Sequence, residues 1–144
     1  MYEELKEEIK TCEGYVPKIY KCSEGFDTIF YGHLCVEPEQ WDDDKEYTKE
    51  ELNVVFEKDF NEALKNAEHL IGERSINDTA KEVIIEMVFQ LGIGGVGKFK
   101  NMWSALDRED YGEASFQMLD SLWAKQTPAR AGKLAGKMRA AKEA

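Results

Sequence analysis

Near the N-terminus an acid, a thiol, a hydroxyl and an imidazole fall within 21 residues: Glu13, Cys22, Thr28 and His33. Eight residues separate Glu13 from Cys22, five separate Cys22 from Thr28, and Gly14 and Gly32 flank the set. A carboxyl group can deliver a proton to a leaving oxygen, while a hydroxyl or thiol can hold a water for attack, so the set suits acid-assisted hydrolysis. Each residue also has a structural reading. Glu13 could pair with a base at a helix end, Cys22 could be a small buried hydrophobe, Thr28 an ordinary strand residue and His33 a structural hydrogen-bonding group. Cys12, Cys22 and Cys35 are odd in number and contain no CxxC pair, so neither a disulfide framework nor a zinc site is expected. No cofactor or metal is implied.

The elements that must position this set can be read from periodicity. Residues 3–12 place Leu5, Ile9 and Cys12 on one helical face opposite Glu and Lys, which predicts a short amphipathic helix ending beside Glu13. Residues 15–34 change to β-branched and aromatic residues around the turn-forming Ser23-Glu24-Gly25, which predicts a hairpin or small meander. The acidic stretch VEPEQWDDDKEY reads as a solvated loop or a single helical turn. Thr48 and Glu51 form a capping-box pattern ahead of a helix from about 49 to 70. Ser75 is a second cap candidate before Ala80, Val83, Ile84, Met87, Val88 and Leu91, a pattern apolar enough for a central core helix. Gly92, Gly94, Gly95 and Gly97 should break it, and helices are expected over 101–108, 110–123 and 128–142, the last with proline in its first turn. The expected fold class is α+β: a small strand-bearing N-terminal lobe, a larger all-helical C-terminal lobe, and a substrate cleft between them. The chain would form one domain over 1–144 with lobes of about 13–48 and 49–144, the first helix packing on the C-terminal lobe.

Composition narrows the partners. With 42% hydrophobic and 33% charged residues and three prolines, the 144 residues are those of a globular domain able to bury a core. The opening MYEELKEEIK has no apolar segment of a signal peptide, and no stretch approaches the roughly eighteen apolar residues of a membrane span. Neither export by a leader nor membrane insertion is expected. The net charge of −10 lies entirely in residues 1–60, which hold 17 acids and 7 bases, whereas residues 61–144 hold 12 of each and finish on a basic end. Such a chain should not bind nucleic acid, because most of its surface repels phosphate.

The spacing of the chemical set resembles the active-site signature of the phage-type lysozymes, the glycoside hydrolase family that includes the T-even bacteriophage enzyme. The pattern EG…Y…EG..TI..GH is filled by Glu13, Gly14, Tyr20, Glu24, Gly25, Thr28, Ile29, Gly32 and His33, with Cys22 at a position the family gives to aspartate or cysteine. MVFQLGIGGVGKF (87–99) and WAKQTPARA (123–131) resemble the core-helix and C-terminal blocks of the same family, in the same order. The resemblance implies a lysozyme-like fold and cleavage of the β-1,4 bond between N-acetylmuramic acid and N-acetylglucosamine in bacterial peptidoglycan. It makes Glu13 the general acid, with Cys22 and Thr28 positioning water or stabilising the transition state, and suggests inversion at the anomeric carbon. It sets Arg130 against Glu13 and pairs His33 with Asp59. Leu34, Phe89, Met102 and Gln117 fall at saccharide-contacting positions, the last two where the T-even enzyme has serine and asparagine. Phe30 stands where the family usually has glycine, which could narrow the cleft or displace the strand. The implied partner is a peptidoglycan strand, the implied state a monomer, and the implied location the cytoplasm of a bacterial host before release to the cell wall. Two other readings share the motif: a lytic transglycosylase with Glu13 as both acid and base, and a catalytically impaired peptidoglycan-binding homologue.

Overall fold

A computed structural model describes residues 2–13, 20–21, 27–29, 33–34 and 48–141. The chain divides inside its longest helix into two units, Met1–Glu62 and Ala63–Ala144. In the first, α1 (Glu3–Glu13) and the start of α2 (Lys49–Ile71) pack by simple periodicity. Leu5 and Ile9 on α1 are buried, as are Leu52, Phe56 and Phe60 on α2, all at four-residue intervals. Two lysines of α1 lie over the aromatic rings. Lys6 sits 5.2 Å from the Phe60 centroid and bonds Glu57 at 2.9 Å, while Lys10 sits 4.8 Å from the Phe56 centroid and bonds Asn53 Oδ1 at 3.1 Å. The capping box forms as its residues require: the Glu51 amide donates to Thr48 Oγ1 at 3.2 Å, and the Thr48 amide donates back to Glu51 Oε1 at 3.1 Å.

Between these helices run β1 (Tyr20–Lys21), β2 (Asp27–Ile29) and β3 (His33–Leu34), paired antiparallel in the order β1-β2-β3. The α+β expectation is corrected here. Seven helices account for most of the described residues, and strand is confined to pieces of two, three and two residues. Strands this short cannot form a layer that buries an apolar face, so the described fold is helical with a minimal meander, not a strand-built lobe beside a helical one. Turn residues 23–25, Phe30 and the acidic stretch 36–47 lie outside the described residues.

The second unit is built around α3 (Asp78–Gly97). Ala80, Val83, Ile84, Ile85, Met87 and Val88 are all buried, so the helix is covered on nearly every side, as its apolar composition requires. Its N-cap is Asn77 and not Ser75: the Ala80 amide donates to Asn77 Oδ1 at 2.9 Å, and Asn77 Nδ2 donates to the Ala141 carbonyl at 2.6 Å. A serine hydroxyl is too short to cap a helix and also reach the chain's far end, whereas the asparagine amide does both. The glycine run interrupts α3 at one point only. Gly92 (φ 78°, ψ 165°) is non-helical, and the helix then resumes through Gly97.

Short helices follow: α4 (Lys100–Asp107), α5 (Tyr111–Leu119), α6 (Leu122–Gln126) and α7 (Pro128–Ala140). The single helix expected over 110–123 is split because Ser121 is extended, accepting from the Ala124 amide at 3.2 Å while its hydroxyl donates to the Met118 carbonyl at 2.6 Å. The helix α7 buries Ala131, Leu134, Ala135 and Met138 and receives the Ser115 hydroxyl of α5 on the Ala135 carbonyl at 2.7 Å. No helix among the described residues is long and apolar enough to cross a membrane.

Two of the four glycines of α3, Gly92 and Gly94, predict opposite responses to alanine. A Cβ at either position 92 or 94 meets nothing within 4 Å, so packing does not separate them. Backbone does. Gly92→Ala is expected to destabilise by about 1–3 kcal/mol, because this φ/ψ combination is nearly closed to residues with a Cβ. Gly94→Ala, in regular helix, is expected to stabilise by about 0.5–1 kcal/mol. Thermal denaturation of the two variants should move the midpoint in opposite directions.

Candidate active site

Glu13 is the last residue of α1, placed there because the buried Leu5 and Ile9 fix the helix up to that turn. Thr28 is the centre of the meander, opposite Tyr20 on β1 and Leu34 on β3. Two positions of the sequence pattern, Tyr20 and Thr28, thus share one register row with Leu34. His33 lies one step along, opposite Ile29. Cys22 lies outside the described residues, immediately after β1. Asp59, the partner expected for His33, is half-buried on α2.

Arg130 lies in the first turn of α7, where its guanidinium Nε is 3.4 Å from Glu86 Oε2. The Glu86 side chain is fully buried and that of Arg130 is 12% exposed. Sequence reading passed over Glu86, although a lone acid inside IIEMVFQ is a visible anomaly: a charge placed in an apolar helix needs a partner. Arg130 supplies one from another helix.

The remaining sequence-derived positions lie in the second unit. Phe89 is half-buried on α3, beside Gln90, whose Oε1 accepts from Trp123 Nε1 at 3.0 Å. Met102 and Gln117, but not Phe89, line a groove of about 460 Å³ with Leu91, Phe99, Leu122 and Trp123. Met102 is fully buried and belongs to the floor, while Gln117 is half-buried and donates to Glu113 Oε1 at 2.9 Å. Phe99 and Trp123 meet edge to face with ring centroids 6.0 Å apart, so the walls are aromatic and fixed in place. Amides and a hydroxyl (Asn101, Gln126, Ser121) share the lining with the charged side chains of Lys98, Lys100 and Asp120. Aromatic surface with neutral hydrogen-bonding groups at its edge suits a sugar ring, whose faces are apolar and whose rim is polar. Among the described residues no group of three or more His, Cys, Asp or Glu side chains could hold a metal ion.

A family model described as phage lysozyme matches residues 10–143. Among curated proteins the chain is 29% identical over 157 residues to probable T4-type lysozyme 1 of Dictyostelium discoideum, covering 93% of this chain and 92% of that protein. A second protein of the same organism, probable T4-type lysozyme 2, is 27% identical with the same coverage. The pre-baseplate central spike protein Gp5 of Enterobacteria phage T4 is 28% identical over 152 residues, which span 90% of this chain but 26% of that much longer protein. The class is that of the lysozyme-like peptidoglycan hydrolases, enzymes of the glycoside hydrolase type. The chain belongs to the phage lysozyme family.

Proposed function

We propose that this protein is a muramidase that hydrolyses the β-1,4 bond between N-acetylmuramic acid and N-acetylglucosamine, with Glu13 as the general acid. The observation that carries the reading is the interval Glu13, eight residues, Cys22, five residues, Thr28, followed by Gly32-His33, within a chain that the family model covers almost completely. Glu13 gives its proton to the glycosidic oxygen as the C1–O bond breaks. A water held by the Thr28 hydroxyl, with the Cys22 thiol beside it, bonds to C1 from the opposite face and releases its own proton to solvent. A thiol is a weak acceptor and largely uncharged at neutral pH, so Cys22 assists the water by position and not as a strong base. His33–Asp59 is assigned to brace the meander, while Arg130 is paired with the buried carboxylate of Glu86. Leu34, Phe89 and Gln117 are assigned to contact the saccharide, with the buried Met102 supporting the groove from beneath.

Mass spectrometry of muropeptides released from purified sacculi tests the bond and the outcome together. Reducing N-acetylmuramic acid ends are expected. Anhydro ends would instead identify a transglycosylase, and an undigested wall would identify a binding protein.

A further inference from the structure

The saccharide groove carries a feature that sugar binding does not require. Lys98 and Lys100 both line it, flanking Phe99, against a single acidic lining residue, Asp120. Both lysines are exposed, and among the described residues neither ammonium group has a hydrogen-bond or ion-pair partner. Folding does not explain the pair. Lys98 is the C-cap residue of α3, where a cation is favourable, but Lys100 opens α4, where the helix dipole disfavours one. The lysines also stand out against the whole chain, whose net charge is −10. That charge gives no long-range attraction for a polyanionic wall, and at physiological ionic strength fields fade over about 8 Å. Cations inside the groove are therefore the groups able to read a carboxylate at contact range.

We propose that Lys98 and Lys100 determine specificity for glycan strands whose stem peptides carry free carboxylates, by pairing with those carboxylates while the sugar lies on the Phe99, Met102 and Trp123 side of the groove. The proposal rests on the muramidase reading and names the form of substrate that the site prefers. Amidated stems present the same shape without the charge, so discrimination falls on the lysines alone. Two exposed pairs together are worth about a fivefold preference.

The test compares initial rates of reducing-end release from sacculi with free stem carboxylates and from the same sacculi after carbodiimide-mediated amidation. The unaltered protein is expected to cut the free-carboxylate wall about fivefold faster at low substrate concentration, with the difference in KM and not in kcat. In Lys98→Gln/Lys100→Gln the ratio is expected to collapse towards one, and in Lys98→Glu/Lys100→Glu to invert. A ratio that both variants leave unmoved overturns the proposal. So does an equally fast cut of walls stripped of their stems by an amidase, because the carboxylate read would then be that of the lactyl group. If the unaltered protein releases reducing ends from both walls at equal rates, the lysine inference alone falls. If it releases none from either, the muramidase reading falls with it.

Discussion

Glu13→Gln is expected to lower the rate of peptidoglycan solubilisation by about a hundred- to ten-thousandfold, the range that a positioned general acid supplies. Glutamine keeps the size and polarity of the side chain but has no proton of suitable acidity to give to a leaving alkoxide. Because Glu13 closes α1 and the buried anchors of that helix are Leu5 and Ile9, the variant should keep its helical circular dichroism and its melting midpoint. Turbidity loss of a wall suspension, followed beside circular dichroism, separates lost chemistry from lost fold. A variant that clears the suspension at the parental rate would remove Glu13 from the mechanism. Thr28→Ala should show a smaller defect, since a water that has lost one of its holders can still reach the anomeric carbon.

Arg130→Met is expected to destabilise the protein by about 3 kcal/mol, because it takes the guanidinium away from a carboxylate with no solvent exposure. The calorimetric midpoint should fall by roughly 10 °C in a chain of this size. Adding Glu86→Gln to the same protein should recover more than half of the loss, since a neutral amide is far cheaper to bury than a carboxylate. If the double variant were as unstable as Arg130→Met, the cost would come from lost packing of the arginine stem and not from the charge.

Helices were legible wherever side chains report burial locally. The Thr48–Glu51 pair announces the start of α2, and Leu52, Phe56 and Phe60 announce its buried face, because capping and four-residue spacing depend on neighbours within one turn. Reading failed where the deciding partner is distant in sequence. Asn77 outcompetes Ser75 partly through the carbonyl of Ala141, 64 residues away. Ser121 divides the expected helix over 110–123 because it can cap forward and bond backward at once. The α+β assignment overweighted the β-forming composition of 15–34: such residues favour strands but do not set their length, and the described strands stop after two or three residues. For the candidate site, the interval in the sequence proposes Glu13 and Thr28, and resemblance proposes Met102 and Gln117. Glu86 was visible as a charge in an apolar helix but its partner on α7 was not, and the Lys98–Lys100 pair acquires meaning only when α5 is seen across the groove.

The break at Gly92 bears on how this sequence can drift. Every single-base change that replaces a glycine codon's amino acid yields either a stop or a residue with a Cβ, and the backbone at this position, φ 78° and ψ 165°, admits essentially glycine alone. No amino-acid replacement at position 92 is therefore neutral. Gly94, two residues on in ordinary helix with open space around it, can accept several of the same changes. Two glycines that look alike in the sequence thus differ in what they tolerate, and a library randomised across the run should return glycine at the first and a spread of residues at the second.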